Sequence, residues 1–102
     1  MIGILTHHWV KRESIREARL LLDGNGNAQS RAAGFIKRRT LYSLSDPSQI
    51  TSLVIWKSHE SYDTWRKSPE RKATMLGSEK LWSKAPESDR FEASNEVLPA
   101  NS

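Results

Sequence analysis

Apolar and polar positions alternate at the start of the chain. From Met1 to Val10 the side chains of Ile2, Ile4, Thr6, His8 and Val10 fall on one side of an extended backbone and those of Gly3, Leu5, His7 and Trp9 on the other, which predicts a strand with apolar groups on both faces. The period then changes. Ser14 followed by Glu17 has the form of a capping box, and Ile15, Ala18, Leu21 and Leu22 make an apolar stripe at helical spacing, so a helix is predicted to begin near Ile15. Asp23-Gly24-Asn25-Gly26-Asn27 reads as a turn that interrupts or ends this helix, because each interior glycine costs about 1 kcal/mol. After a brief resumption to Ala33, Gly34 makes the exit and Phe35 to Leu44 predicts a second strand. Ser45-Asp46-Pro47-Ser48 is a turn signal, and Ile50 to Trp56 is a β-branched apolar run that pairs back on the second strand as a hairpin.

The stretch from Ile50 to Leu81 organises the remainder. Ser58 is the predicted N-cap of a helix that carries Tyr62 and Trp65 on one face, and Ser68-Pro69 restarts a helix with proline at its first position. Ala73, Leu76 and Leu81 continue an apolar stripe, which Gly77 splits before Trp82. Ala85-Pro86-Glu87 reads as a loop and Arg90 to Leu98 as a last strand with one wet face. The order is β-α-β-β-α-β, so the expected class is α+β, a ferredoxin-like four-stranded antiparallel sheet with helices over one face. One domain over residues 1–98 is expected, with a flexible tail at 99–102.

Composition adds an assembly. Hydrophobic residues make up 36% of the 102, which is light for covering both faces of a sheet, and the apolar groups on both sides of the first strand call for a second copy over the open face: a homodimer. No window approaches the roughly 20 apolar residues of a membrane span, no signal-peptide run precedes the first charges and there is no cysteine, so a soluble cytoplasmic protein is expected. The net charge of +4 is spread among acidic residues, as on a solvated surface, and no nucleic-acid or membrane partner is expected.

The candidate chemistry is sparse. His7 and His8 are adjacent on a strand and point to opposite faces, so they do not share a metal ion and at most one enters any pocket. His8 shares the helix-covered side with Ile2 and Ile4, which makes it the first candidate for a catalytic base, with His7 second and directed to the dimer face; the alternative for each is a hydrogen-bonded structural histidine. Tyr62 and Trp65 are candidates for stacking on a flat substrate, the alternative being that they anchor the helix on the sheet, while Trp56 and Trp82 fit a core. Asp23 to Gly34 begins like a calcium loop but has Ala28 at its sixth position and Gly34 at its twelfth, so no metal site is assigned. Lys37, Arg38 and Arg39 are split between faces by strand alternation and read as solvated.

Gly34-Phe35 opening the second strand, Trp56 closing the third with Ser58-His59-Glu60-Ser61-Tyr62 after it, and Trp65 followed by Ser68-Pro69 together resemble the antibiotic-biosynthesis-monooxygenase-like family of dimeric α+β barrels, over nearly the whole chain. The resemblance implies a small monooxygenase that needs no cofactor and acts on an aromatic or quinol-like molecule. It also implies that Trp65 lines a cavity between helix and sheet, with Tyr62, Trp56 and Met75 as further substrate-binding candidates. Other members implied by the likeness are non-catalytic or stress-associated ligand-binding dimers and haem-degrading enzymes. Against haem stand Thr74-Met75 where those relatives carry a histidine, the lack of any histidine after His59, and Thr6-His7-His8 in place of their first-strand asparagine.

Overall fold

The structure, a computed structural model, describes residues 1–95. Strand β1 (Ile2–Val10) leads through a 3-10 turn at Arg12–Ser14 into α1 (Ile15–Gln29); β2 (Phe35–Tyr42) and β3 (Gln49–Trp56) form the hairpin; α2 (His59–Arg66) and α3 (Pro69–Thr74) follow, and a second 3-10 turn at Ser78–Lys80 leads to β4 (Trp82–Glu92). The sheet is antiparallel with order β2-β3-β1-β4, so the two strands adjacent in the centre are the first and third. This is the β-α-β-β-α-β arrangement anticipated from the sequence, with all three helices on one face.

Register places alternate side chains as the pattern requires. Ile4 lies opposite Val54, Thr6 opposite Ser52 and His8 opposite Ile50, and all six face the helices. The apolar core on that side falls into two clusters. Ile2, Ile4, Val54, Trp56 and Trp65 form one, at the start of β1; Val10, Ala18, Leu22, Ile50 and Leu81 form the other, at its end. Ser58 caps α2 by accepting from the Ser61 backbone N–H at 3.2 Å, with Ser61 Oγ returning the bond to the Ser58 N–H. Ser68 caps α3 by accepting from the Arg71 N–H at 3.1 Å, with Pro69 in the first turn. Gly77 has φ +80°, a left-handed conformation that ends the helical run before Trp82.

Four expectations are corrected. The segment from Asp23 to Asn27 is not a turn: α1 runs through both glycines to Gln29. Ser14 makes no side-chain cap; the chain enters α1 from a 3-10 turn that satisfies its first N–H groups differently. Ala85-Pro86-Glu87 is not a loop but part of β4, which begins at Trp82. Its register against β1 shifts between His7 and Trp9, and a proline is tolerated there because β4 is an edge strand and the irregularity removes the need for its N–H. Of the last strand anticipated at Arg90 to Leu98, only the portion to Glu92 is strand, while residues 96–98 and the expected tail at 99–102 lie outside the described residues.

The other sheet face carries no helix. Leu5, Leu53 and Ile55 are only half-covered at its centre, Leu41 and Phe91 are 47% and 49% exposed, and the Ile55 and Leu53 side chains close over Gly3.

Candidate functional site

Between the two apolar clusters the core turns polar and opens. A cavity of about 710 Å³ lies between the helix-facing side of the sheet and the inner faces of α1, α2 and α3. Among the described residues the buried polar ones are His8, Asn25, Gln29 and Ser52, and all four line this one cavity. Burying polar groups costs free energy unless something pairs with them, so their concentration at one place marks a site rather than a packing accident.

The α1 wall explains the anomalous helix sequence. Ala18, Leu22, Asn25 and Gln29 recur at helical spacing and are all buried, so the apolar stripe of the first turns continues inward as a polar one. Asn25 Oδ1 accepts from Thr74 Oγ1 at 2.9 Å, tying α1 to α3. Gln29 Oε1 accepts from Arg38 Nη1 at 2.9 Å, and Arg38 Nε donates to Thr40 Oγ1 at 3.5 Å. Arg38 is thus turned toward the helices and into the cavity wall, correcting the expectation of a solvated strand residue. A register shift between Phe35 and Lys37 decides which members of the basic run face inward. Burial of the Arg38 guanidinium lowers its pKa from the ordinary arginine value, opposed by the field of Asp23.

The aromatic wall is built on Trp56, fully buried at the end of β3. Trp65 stacks on it with ring centres 6.3 Å apart and planes at 29°; Tyr62 lies at 6.0 Å and Phe35 meets it edge-on at 5.8 Å. Tyr62 is held from outside by Arg90, whose guanidinium carbon lies 4.8 Å from the ring centre while its nitrogens bond Asp63 at 3.0 Å and His59 at 3.0 Å. That contact keeps the Asp63 carboxyl below its usual pKa. Met75 and Trp82 close the far side.

His8 sits in the floor, 6% exposed, with its ring 4.8 Å from Trp82. Its pKa falls to about 4: burial disfavours the imidazolium most, the Ile50 backbone offsets part of this, and the charges of Arg38, His7 and Arg71 add to it. It is a neutral imidazole at pH 7, and its Nδ1 is buried without a hydrogen-bond partner, as is Trp56 Nε1.

The cavity therefore brings His8, Tyr62, Trp65, Trp56 and Met75 together, and leaves out His7, which lies on the open sheet face with Nδ1 2.8 Å from Thr51 Oγ1. Trp56 is both core and wall, and Trp82, anticipated as core, is half-buried cavity lining. Asn25, Gln29 and Arg38 were missed from the sequence. The spacing of Ala18, Leu22, Asn25 and Gln29 was the available signal for the first two. Among the described residues no group of three or more His, Cys, Asp or Glu could hold a metal ion, and no helix is long and apolar enough to cross a membrane.

Solved structures share this fold. SnoaB from Streptomyces nogalater, a cofactor-independent oxygenase, superposes with a TM-score of 0.83 at 15% identity, covering 96% of both chains. Rv0793 from Mycobacterium tuberculosis gives 0.85 at 13% identity, over 95% of this chain and 98% of that one. A conserved protein from Methanosarcina mazei Go1 gives 0.84 at 22% identity, over 91% and 92%. No curated protein matches the chain. The family model described as antibiotic biosynthesis monooxygenase matches residues 1–75, from β1 to the end of α3 and so every strand and helix of the cavity except β4. The chain belongs to the antibiotic biosynthesis monooxygenase family.

Proposed function

We propose that this protein is a small oxygenase that works without a cofactor on an aromatic or quinol-like molecule held in the 710 Å³ cavity. The observation that carries the proposal is His8, a neutral buried imidazole on the wall of a cavity that is otherwise aromatic on one side and cationic on the other. Tyr62, Trp65 and Trp56 would hold the ring plane, and His8 would take a proton from a phenolic or enolic group, leaving an electron-rich anion. That anion gives electrons to dioxygen and forms a carbon–oxygen bond; loss of water from the resulting hydroperoxide leaves a new carbonyl. One oxygen atom stays in the product and the other leaves as water with two hydrogens from the substrate, so substrate and dioxygen balance without an outside reductant.

The low basicity that burial gives His8 favours a second reading, a ligand-binding protein without turnover. A substrate anion beside His8 would raise its proton affinity again, because the imidazolium would then be paired. Oxygen uptake on a panel of dihydroxy-aromatics decides between them. Turnover falling about 10²–10⁴-fold in His8→Ala supports the oxygenase and the base. Traces indistinguishable from buffer across the panel support the binding protein, and an active protein indifferent to His8→Ala discards the base.

The proposal includes a homodimer. Half-covered Leu5, Leu53 and Ile55, framed by exposed Leu41 and Phe91, form the surface that a second copy would cover.

A further inference from the structure

Arg38 is held on three sides by groups that cannot neutralise it. Gln29 Oε1 and Thr40 Oγ1 are uncharged acceptors, and the third side is the bare backbone of Gly26, whose missing Cβ would stand 3.1 Å from Arg38 Cδ and Nε. Among the described residues Arg38 makes no ion pair. The guanidinium has five N–H donors, and the two contacts above leave most of them unmatched. A half-buried cation opposed only by the field of the exposed Asp23, with no contact ion pair, is costly, and removing both it and Gln29 would make a simpler core. The surroundings reinforce the imbalance: Arg71 and Lys72 also line the cavity, against a single carboxylate, Glu79, which is exposed. In the lining of the same cavity, Trp56 Nε1 is a buried donor without an acceptor.

We infer that the cavity binds its aromatic ligand as the oxyanion, an ionised phenol or enol, with Arg38 as counter-ion and with Gln29, Thr40 and Gly26 fixing the guanidinium for that purpose. This rests on the cavity being the ligand site of the proposed oxygenase, but not on turnover. It assigns Arg38 the stabilisation of the oxyanion left when the ligand's proton passes to His8 or to solvent. A guanidinium favours an oxyanion over a hydroxyl because a hydrogen bond between two charged groups is roughly twice as strong as one between neutral groups. The titratable and charged groups that bear on Arg38 and on the ligand's ionisation are His8 on β1, Tyr42 on β2, Asp23 on α1, Tyr62 on α2, Arg71 and Lys72 on α3, and Glu79 beyond it.

The test is a titration of the whole protein with 4-nitrophenol under argon, where phenol and phenolate absorb at different wavelengths and no oxygen chemistry intervenes. The bound probe is expected to ionise at least one pH unit below the free probe, equivalent to a tenfold preference for the phenolate. The shift should collapse in Arg38→Met and survive in part in Arg38→Lys, with circular dichroism confirming that both variants fold. 4-Nitroanisole, which has no ionisable oxygen, should bind at least tenfold more weakly. An unshifted bound probe, a shift that persists in Arg38→Met, or no binding at millimolar probe would overturn the inference. Failure of the oxygenase proposal is separate: a shift dependent on Arg38 with no oxygen uptake keeps the anion site and removes the enzyme, and uptake without the shift does the reverse.

Discussion

Arg38 lies across Gly26, so closely that a Cβ on the glycine would stand 3.1 Å from both Cδ and Nε of the arginine. The contact joins the middle of β2 to the last turn of α1 and accounts for a glycine where a helix would be more stable with alanine. Gly24, two residues earlier in the same helix, has open space around its Cα.

The two glycines therefore respond differently to alanine. Gly24→Ala should raise stability by about 1 kcal/mol and leave ligand binding unchanged. Gly26→Ala should gain less, because the arginine must give way by a few tenths of an ångström where Gln29 and Thr40 hold it, and should weaken phenolate binding by about tenfold. Urea melts paired with the nitrophenol titration check this, and equal behaviour of the two variants would refute it.

His8 gives stability a defined pH dependence. Its folded pKa of about 4 lies below the ordinary 6.5, so the unfolded chain takes up a proton first as pH falls. The stabilisation is complete above pH 6.5 and is lost progressively as pH drops to about 4, by an amount on the order of 3 kcal/mol. His8→Gln, which cannot titrate, should flatten the curve between those limits. Denaturant midpoints for both proteins at several pH values, compared as differences so that the carboxylates cancel, measure the effect; parallel curves would show that His8 is not held neutral.

Trp65 is 4% exposed and stacked on Trp56, so its truncation removes both cavity wall and core. Trp65→Ala should cost about 3–5 kcal/mol and abolish ligand binding, whereas Trp65→Phe should recover much of the stability with weaker binding. Thermal melts and the same optical titration separate the two effects. A Trp65→Ala protein of unchanged stability would contradict the packing described.

The open sheet face should hold a second copy. Light scattering at micromolar concentration is expected to give twice the 11.6 kDa chain mass, and Leu53→Lys, which puts a charge at the centre of that face, should give the single-chain mass. A wild-type monomer would remove the dimer from the proposal.

The order of strands and helices was legible in the sequence because it rests on local rules. The alternation of β1, the hairpin turn at Ser45 to Ser48, and the caps at Ser58 and Ser68 each depend on neighbours within a few residues. The face assigned to His8 followed from strand period alone, and the pairing of Tyr62 with Trp65 on one side of α2 from their helical spacing. What local pattern did not reveal was the polar wall made by Asn25, Gln29 and Arg38. By propensity Asp23-Gly24-Asn25-Gly26-Asn27 is a turn. It is helix because the segment continues a stripe anchored by Ala18 and Leu22, and because Asn25, Gln29 and the gap at Gly26 meet Thr74 and Arg38, residues distant in sequence. Arg38 in turn faces inward only through the register of β2 on β3. Local periodicity thus determined the order of the elements and one histidine of the site, while its cationic and amide side came from contacts between separate elements, whose energies enter only once the sheet and α1 have packed.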